Sequence, residues 1–155
     1  GSLANNDPAA CYPAAALSAG ATIVTDSREI SADDFFQGMF ETALEESEII
    51  LSVRFPVPSL SSYQKFVQPA SRFAMVGVFL SKFENETRVA ITGASEEGVF
   101  RWREAERALN EDFSEGSITD FVLEPSGMIG DIHASKEYRA HLVKVMTKRA
   151  VNSAS

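Results

Sequence analysis

The chain of 155 residues is 45% apolar, which is ordinary for a globular protein and enough to bury the core of one domain, or of one domain with part of another. Its formal net charge of -8 argues against nucleic acid as a partner, because binding to phosphate requires a basic face. No apolar run reaches the about 18 residues of a membrane-spanning helix, and the single cysteine, Cys11, permits no internal disulfide, so we expect a cytoplasmic protein.

The beginning of the chain predicts a helix followed by a strand. Asp7 and Pro8 suit the N-cap and the first position of a helix, and Gly20 suits its end. Pro13 lies between them, and because proline disrupts a helix interior, we expect a kink there or two short turns. The apolar residues 21–25 predict a short strand.

A second helix and a second strand are predicted next. The sequence Ser-Ala-Asp-Asp that begins at Ser31 resembles a capping box and predicts a short helix. That helix would carry Phe35, Phe36 and Met39. After a polar turn, the alternating residues 48–55 predict a strand that stops before a proline.

The remainder of the chain predicts an antiparallel sheet covered by helices. Three segments separated by short polar breaks form a meander pattern, with strands expected over residues 62–68, 74–83 and 87–92. Residues 104–109 predict a helix, and residues 117–123 are compatible with one.

The last helix has the best-marked start. Ser135 suits the N-cap, and Glu137 lies in the first turn, where a carboxylate interacts favourably with the positive end of the helix dipole. Tyr138, Leu142 and Val145 then recur at helical spacing. This pattern predicts an amphipathic helix that packs on the sheet.

The amino-acid sequences of the last helix and of the first ten residues contain distinctive motifs. Residues 131–142 read Asp-Ile-His-Ala-Ser-Lys-Glu-Tyr-Arg-Ala-His-Leu, and this pattern resembles the C-terminal signature of the flavoprotein (medium) subunit of aerobic carbon monoxide dehydrogenase and related xanthine dehydrogenase-type molybdenum hydroxylases. The opening Gly-Ser-Leu-Ala-Asn-Asn-Asp-Pro-Ala-Ala resembles the second half of that family's FAD loop. Four further segments follow in the family's order, at residues 34–38, 48–56, 63–66 and 73–78.

The resemblance covers nearly the whole chain and implies an α+β fold. Residues 1–57 would be the C-terminal part of an FAD-binding domain, the remnant of its second α/β subdomain. Residues 58–155 would form the C-terminal domain of the flavoprotein, an antiparallel sheet packed with helices. Because the chain begins inside the FAD loop without an initiating methionine, we expect it to be a fragment.

The resemblance also implies FAD as the cofactor and places Gly1, Ser2 and Ala4 along it. Small residues and accessible backbone amides before a helix suit the binding of a pyrophosphate dianion. Without the resemblance, the same residues would be interpreted as an ordinary polar loop. Relatives often carry an acidic residue where this chain has Cys11, which is a poor replacement acceptor for the ribose or phosphate region.

Three further residues match positions near the flavin. Ile50 corresponds to an aliphatic residue against the flavin ring, Lys65 to a lysine that approaches it, and Phe73 to an aromatic residue that can cover it. From the pattern alone, Ile50 and Phe73 are equally compatible with a place in the core, and Lys65 with a solvated strand position. The family's Gly-Asp before the aromatic residue is replaced by Ser71 and Arg72, which reverses a charge and removes the freedom of glycine.

The sequence shows no constellation for bond chemistry. Two histidines and one distant cysteine lack the spacing of a zinc or iron–sulfur site, and no nucleophile-elbow or phosphate-loop motif occurs. We interpret the acidic residues Glu45, Glu46 and Glu48 as a solvated turn. We therefore predict no catalytic residue and no metal ligand in this chain.

Two functional hypotheses follow from these patterns. In the first, the parent protein is the FAD-carrying electron-transfer subunit of a molybdenum hydroxylase. The resemblance then implies a large partner subunit with molybdopterin and a small partner subunit with [2Fe-2S] clusters, from which electrons pass through FAD to an external acceptor. In the second, the chain is a flavin-free scaffold or interaction fragment with no activity of its own. The substrate would be selected by the large subunit and is not encoded here.

Overall fold

The computed structural model describes residues 1–155 as a mixture of helices and antiparallel sheet, so the predicted α+β class is confirmed. The helices are α1 Tyr12–Ala19, α2 Ala32–Phe35, α3 Arg103–Glu111 and α4 Lys136–Ser153. The strands are β1 Thr22–Thr25, β2 Glu29–Ser31, β3 Phe36–Gly38, β4 Glu41–Thr42, β5 Ile50–Arg54, β6 Leu60–Val67, β7 Ala74–Lys82, β8 Thr87–Ser95 and β9 Gly98–Arg101. None of the helices combines the length and the apolar character that a membrane span requires.

A four-stranded antiparallel sheet in the order β6-β7-β8-β9 lies at the centre of the fold. The strands predicted over residues 62–68, 74–83 and 87–92 correspond to β6, β7 and β8, so the predicted meander is confirmed. Val78 of β7 pairs with Ile91 of β8. Nearly every residue of these two strands is buried, because other elements cover both faces of the sheet.

The fourth strand, β9, is not visible in the sequence pattern. Strand β8 continues beyond Thr92 to Ser95, and a tight turn then leads into β9. Gly98 opens that strand with a φ of 89°, a conformation that glycine adopts without strain. The hydrophobic pattern ends at Thr92 because Gly-Ala-Ser follows it, so the sequence conceals this hairpin.

Helices α3 and α4 cover one face of the central sheet. The hydroxyl of Ser135 accepts the backbone N–H of Tyr138 at 3.2 Å, so the predicted N-cap of α4 is confirmed. Leu142, Val143 and Met146 of α4 join the main core. Each large aliphatic side chain buried there stabilises the fold by about 1.5–3 kcal/mol. The sheet contributes Val76, Val78, Leu80, Val89 and Ile91.

Helix α1 covers the opposite face and begins at Tyr12 rather than at Asp7. The carboxylate of Asp7 accepts the N–H of Ala9 at 2.9 Å, so this residue stabilises a turn and not a helix. Pro13 lies in the first helical turn, where its missing N–H would have no intrahelical partner, and it does not interrupt the helix. The predicted start and the predicted kink are therefore wrong, whereas Gly20 ends the helix in the left-handed conformation as predicted.

A small second core joins α1 to the central sheet. It contains Ala14, Ala16, Leu17, Ala21, Ala32, Ala90 and Val99. The predicted boundary between residues 57 and 58 lies in the coil between β5 and β6, so residues from its two sides share this core. The division into domains 1–57 and 58–155 stays a prediction.

A three-stranded antiparallel sheet in the order β2-β1-β5 completes the first part of the chain. The strands predicted over residues 21–25 and 48–55 correspond to β1 and β5, which are slightly shorter. The short strand β2 and the pair β3-β4 are not predicted, because they contain few alternating apolar residues.

The two short helical predictions need correction. The hydroxyl of Ser31 accepts the N–H of Asp34 at 3.2 Å, so the cap of α2 is confirmed. The helix ends at Phe35, however, and Phe36 begins β3 while Met39 lies in a turn. In the segment 117–123, only a single 3₁₀ turn at Gly116–Ile118 forms, and the prediction for residues 104–109 is confirmed by α3.

Arg139 of α4 fastens the last helix to the sheet and to the preceding loop. Its side chain is 4% exposed. One terminal nitrogen donates to the carbonyls of Met75 at 2.7 Å and Gly93 at 2.9 Å, and the other donates to the carboxylate of Asp131 at 2.6 Å. Asp131 also accepts two backbone N–H groups of its own loop, so one buried guanidinium and one carboxylate organise this corner of the fold.

The substitution Arg139→Met should lower the free energy of unfolding by about 3–5 kcal/mol, because it leaves buried acceptors and one carboxylate without their donor. Urea denaturation of the chain measures this loss. Arg149→Met on the same helix is the matched control, since Arg149 is exposed and should change stability by less than about 0.5 kcal/mol. Equal effects of the two substitutions would contradict the assigned role.

Candidate functional site

An open cavity lies between the first residues of the chain and the edge of the three-stranded sheet. Its volume is about 560 Å³, a size typical of small-molecule sites. Because β5 is an edge strand and Tyr12 begins α1, the cavity is formed by a loop, a helix start and a strand edge. It is lined by Gly1, Ser2, Leu3, Ala4, Tyr12, Leu44, Glu48, Ile49, Ile50 and Phe55.

The loop at the start of the chain is closed by its own backbone. Three backbone hydrogen bonds of 3.0–3.1 Å link Asn5 to Gly1, Asn6 to Leu3 and Asp7 to Ser2. The carbonyls of the first three residues are thereby used as acceptors. The N–H groups of Ser2, Leu3 and Ala4 donate no hydrogen bond within the chain, so three consecutive donors remain available at the cavity.

Asn6 fixes this loop to the rest of the fold. Its side chain is completely buried and donates to the carbonyl of Gly38 at 2.6 Å. Its φ of 40° lies in the left-handed region, which asparagine tolerates better than most residues. The hydroxyl of Thr42 adds a hydrogen bond of 3.2 Å to the carbonyl of Ala4, so the loop conformation is held from two neighbouring strands.

A second part of the cavity lining is apolar and unusually exposed. Tyr12, Ile49 and Phe55 line it, and their exposed fractions are 66%, 61% and 46%. Leu51, on the strand between Ile49 and Phe55, is 66% exposed but does not line the cavity. Large apolar side chains that are exposed together commonly mark a ligand or partner site.

Glu48 also lines this cavity. Its interpretation as part of a solvated turn is wrong. Its side chain is 4% exposed and accepts hydrogen bonds from the guanidinium of Arg28 at 2.9 and 3.0 Å. It also accepts from the hydroxyls of Thr25 at 2.7 Å and Ser27 at 2.9 Å and from the N–H of Glu45 at 2.8 Å. The carboxylate therefore joins β1, the following turn and the start of β5.

These contacts hold the pKa of the Glu48 carboxyl well below its ordinary value of 4.5. The hydrogen bond from Arg28 is the largest cause, followed by those from the backbone N–H of Glu45 and the hydroxyl of Thr25. The one carboxylate that lines the cavity is thus ionised and paired with a guanidinium.

The structure brings four of the six predicted site residues together. Gly1, Ser2, Ala4 and Ile50 all line this cavity. Lys65 does not line it, and its ammonium donates instead to the sulfur of Cys11 at 3.6 Å. Because Cys11 directly precedes Tyr12 in the chain, Lys65 lies near the helix start that borders the cavity.

The sixth residue, Phe73, lines a different cavity of about 370 Å³. Phe73 is 59% exposed there, so it is not a core residue. Pro8 and Ala9 also reach this second cavity, so the N-terminal segment borders both cavities. The other residues that line it are Gln68, Ala70, Ser71, Ala74, Gly93, Ile129, Asp131, His133 and Arg139.

The substitution of Gly-Asp by Ser71 and Arg72 does not prevent a glycine-like loop. Arg72 adopts a φ of 62°, and its N–H donates to the carbonyl of Gln68 at 2.8 Å. The N–H of Gln68 in turn donates to the carbonyl of Phe73 at 2.9 Å. The hairpin between β6 and β7 therefore keeps a tight turn at a conformation that is strained for arginine.

Sequence reasoning missed most of the apolar wall. Tyr12 and Leu44 lie outside the family's motif segments, Ile49 and Phe55 lie within the segment 48–56 without an assigned role, and each of the four is compatible with an ordinary core position in the sequence. The available signal is that Ile49 and Phe55 flank a strand whose apolar residues fall on both faces, although the strand lies at a sheet edge. The structure brings no three metal-binding side chains of histidine, cysteine, aspartate or glutamate into one cluster.

Comparison with known proteins agrees with this geometry. Residues 1–58 match the family described as the FAD binding domain in molybdopterin dehydrogenase. Over 97% of its length the chain is 31% identical to the nicotine 6-hydroxylase medium subunit of Paenarthrobacter nicotinovorans and 29% identical to the glyceraldehyde dehydrogenase medium chain of Sulfolobus acidocaldarius. The reconstituted CO dehydrogenase from Oligotropha carboxidovorans superimposes with a TM-score of 0.84 at 25% identity, over 98% of this chain and 58% of that chain.

The chain is therefore similar to medium subunits of molybdopterin dehydrogenases over nearly its whole length, and the resemblance inferred from its sequence motifs is confirmed. Residues 1–58 carry the match to their FAD-binding domain. The chain spans 58% of the length of the two curated relatives.

The depressed pKa of Glu48 makes its contribution to stability depend on pH. Because the folded state binds this proton more weakly than the unfolded state, the contribution is fully present above the ordinary value of 4.5 and is lost as the pH falls below it. Glu48→Gln should lower the Tm at pH 7, and the difference from the unmodified chain should shrink below about pH 4. Glu46→Gln, an exposed neighbour, is the control and should leave the Tm unchanged at both pH values. A difference for Glu48→Gln that does not vary with pH would refute the assignment.

Proposed function

We propose that this chain belongs to the FAD-carrying electron-transfer subunit of a molybdenum hydroxylase. In this proposal the complete assembly passes electrons from [2Fe-2S] clusters through FAD to an external acceptor. A large partner subunit with molybdopterin and a small iron–sulfur subunit complete it. The names of the relatives as medium chains and medium subunits support an assembly of several subunits.

One observation carries the proposal: three residues whose backbone N–H groups are unused within the chain and several exposed apolar side chains line the same cavity. A dinucleotide has the two matching chemistries, an anionic pyrophosphate and a flat, largely apolar ring. The family match falls on the same part of the chain, residues 1–58.

Different residues of the cavity would bind the pyrophosphate and the ring. The N–H groups of Ser2, Leu3 and Ala4 would hold the pyrophosphate, because consecutive backbone donors form a concave site for anions. Ile50 would lie against the ring together with Tyr12, which supplies an aromatic surface. When bound, FAD would supply the electron-transfer chemistry, while the chain binds, orients and shields it.

Electrostatics in the cavity support an anionic ligand. Its one lining carboxylate, Glu48, is paired with Arg28 and so repels an anion less than an unpaired carboxylate would. Lys65 adds a positive charge near the helix start and would favour a negatively charged cofactor in its neighbourhood. Phe73 lies at the second cavity, and we propose that it covers the flavin from that side.

A second candidate function has its own observation. Leu51 and Val57 are 66% and 90% exposed beside the cavity, on a part of the chain that a cofactor in the cavity would not cover. Such side chains favour a surface for interaction with another polypeptide. The chain on its own would then act as a scaffold without flavin and without activity.

Titration of the purified chain with FAD tests the first proposal, with flavin fluorescence as the measurement. The substitution Ile49→Glu places a carboxylate at the cavity wall and should weaken the affinity at least about tenfold, because it repels the pyrophosphate and disrupts the apolar surface. Leu51→Glu is the matched control, since Leu51 is similarly exposed two residues further along the chain but outside the cavity. The affinity of the Leu51→Glu variant for FAD should stay within about twofold of that of the unmodified chain.

Two other outcomes are decisive. Equal losses for Ile49→Glu and Leu51→Glu would show that FAD does not use this cavity. A folded chain that binds no FAD at any accessible concentration would refute FAD as a cofactor of this chain and would favour the flavin-free scaffold function.

A further inference from the structure

The contact between Cys11 and Lys65 lies outside the cavity residues and has a chemistry of its own. The ammonium nitrogen of Lys65 is 3.6 Å from the sulfur of Cys11. Cys11 is the N-cap residue of α1, and Lys65 lies on β6. Both elements are anchored in the fold, so the two side chains are held together although 54 positions separate them in the chain.

A buried hydroxyl adjoins the same sulfur. Tyr63 lies two residues before Lys65 on β6, so both side chains point to the face that α1 covers. Its hydroxyl is buried and has no hydrogen-bond partner of acceptable geometry. Burial raises the pKa of this hydroxyl, and the neighbouring Cys11 raises it further. The hydroxyl therefore keeps an unused donor beside the sulfur, which an oxygen atom on that sulfur would satisfy.

Gly77 makes room for this arrangement. It pairs with Lys65 across the sheet, and a side chain at this position would meet the hydroxyl of Tyr63 at 2.7 Å. Without that space, the ring of Tyr63 could not lie across β7. The cluster of Cys11, Tyr63 and Lys65 is thus built by the sheet and not by chance contacts of exposed side chains.

Oxidised cysteine normally condenses with a nearby nucleophile. Cys11 is the only cysteine of the chain, so a disulfide within the chain is impossible. A sulfenic acid at Cys11 would instead have the amine of Lys65 within reach, and Cys11 is only half-buried, which favours the approach of a small peroxide.

We propose that Cys11 and Lys65 form a covalent sulfur–nitrogen bridge when the chain is exposed to hydrogen peroxide. In the first step, the peroxide O–O bond breaks, one oxygen is transferred to the sulfur to give the sulfenic acid, and the other leaves as water. In the second step, the ammonium of Lys65 first gives one proton to water; the resulting neutral amine attacks the sulfur, the S–O bond breaks and the hydroxyl leaves with a further amine proton as a second water. Sulfur is oxidised by two electrons, and one peroxide is reduced to two waters.

Mass spectrometry of the peroxide-treated chain tests this bridge. The expected product is about 2 Da lighter than the untreated chain and contains a cross-link between the peptides of residues 11 and 65. Dithiothreitol should return it to the starting mass, because a thiol cleaves the sulfur–nitrogen bond. The bridged chain should also have a higher Tm, since the cross-link constrains the unfolded state.

Matched variants separate the bridge from general oxidation. Lys65→Arg keeps the positive charge but replaces the amine with a poor nucleophile, and Cys11→Ser removes the sulfur. Neither variant should form the cross-link, whereas Lys82→Arg, a substitution on the neighbouring strand, should form it in full. Gain of one or two oxygens at Cys11 without any cross-link in the unmodified chain would overturn the proposal. Formation of the same cross-link by Lys65→Arg would do so as well.

Discussion

Burial of β7 and β8 on both faces is the constraint on which the rest of the structure depends. An antiparallel sheet commonly leaves one face in water, but here α3 and α4 cover one side and α1 covers the other. The small residues of α1 and Ala90 of the sheet permit close approach. The N-terminal segment is therefore an integral layer of the fold and not an appendage to the sheet.

This constraint positions the candidate site through polar anchors. The hydroxyl of Thr92 on β8 lies 3.0 Å from the carbonyl of Pro8 and 2.9 Å from that of Ala10, so the segment before α1 follows the sheet. Asn6 then links the loop to β3, and the residues whose N–H groups have no partner within the chain line the cavity. The position of the donors proposed to hold a pyrophosphate thus depends on the buried strand β8.

The two sides of the molecule have different electrostatic organisation. Around the cavity, Glu48 is ionised and paired, which leaves the backbone donors as the dominant polar groups. At the start of α4, the buried guanidinium of Arg139 pairs with the more exposed carboxylate of Asp131 and fixes the motif of residues 131–142. Part of that motif is therefore explained by structural anchoring, and it still served to recognise the family because the anchoring depends on particular residue types at particular spacing.

The sequence by itself determined the fold class, the meander of β6 to β8, the cap of α4 at Ser135 and the resemblance to medium subunits, because these depend on local periodicity, caps and ordered motifs. It misplaced the start of α1, since a proline and an aspartate suit a turn as well as a helix. Only the tertiary structure decided that Ile49 and Phe55 form an exposed wall, that Glu48 is held by Arg28, and that Lys65 meets Cys11. Each of these features depends on segments that are distant in the chain. The sheet registers that bring those segments together are set by packing and not by any local pattern.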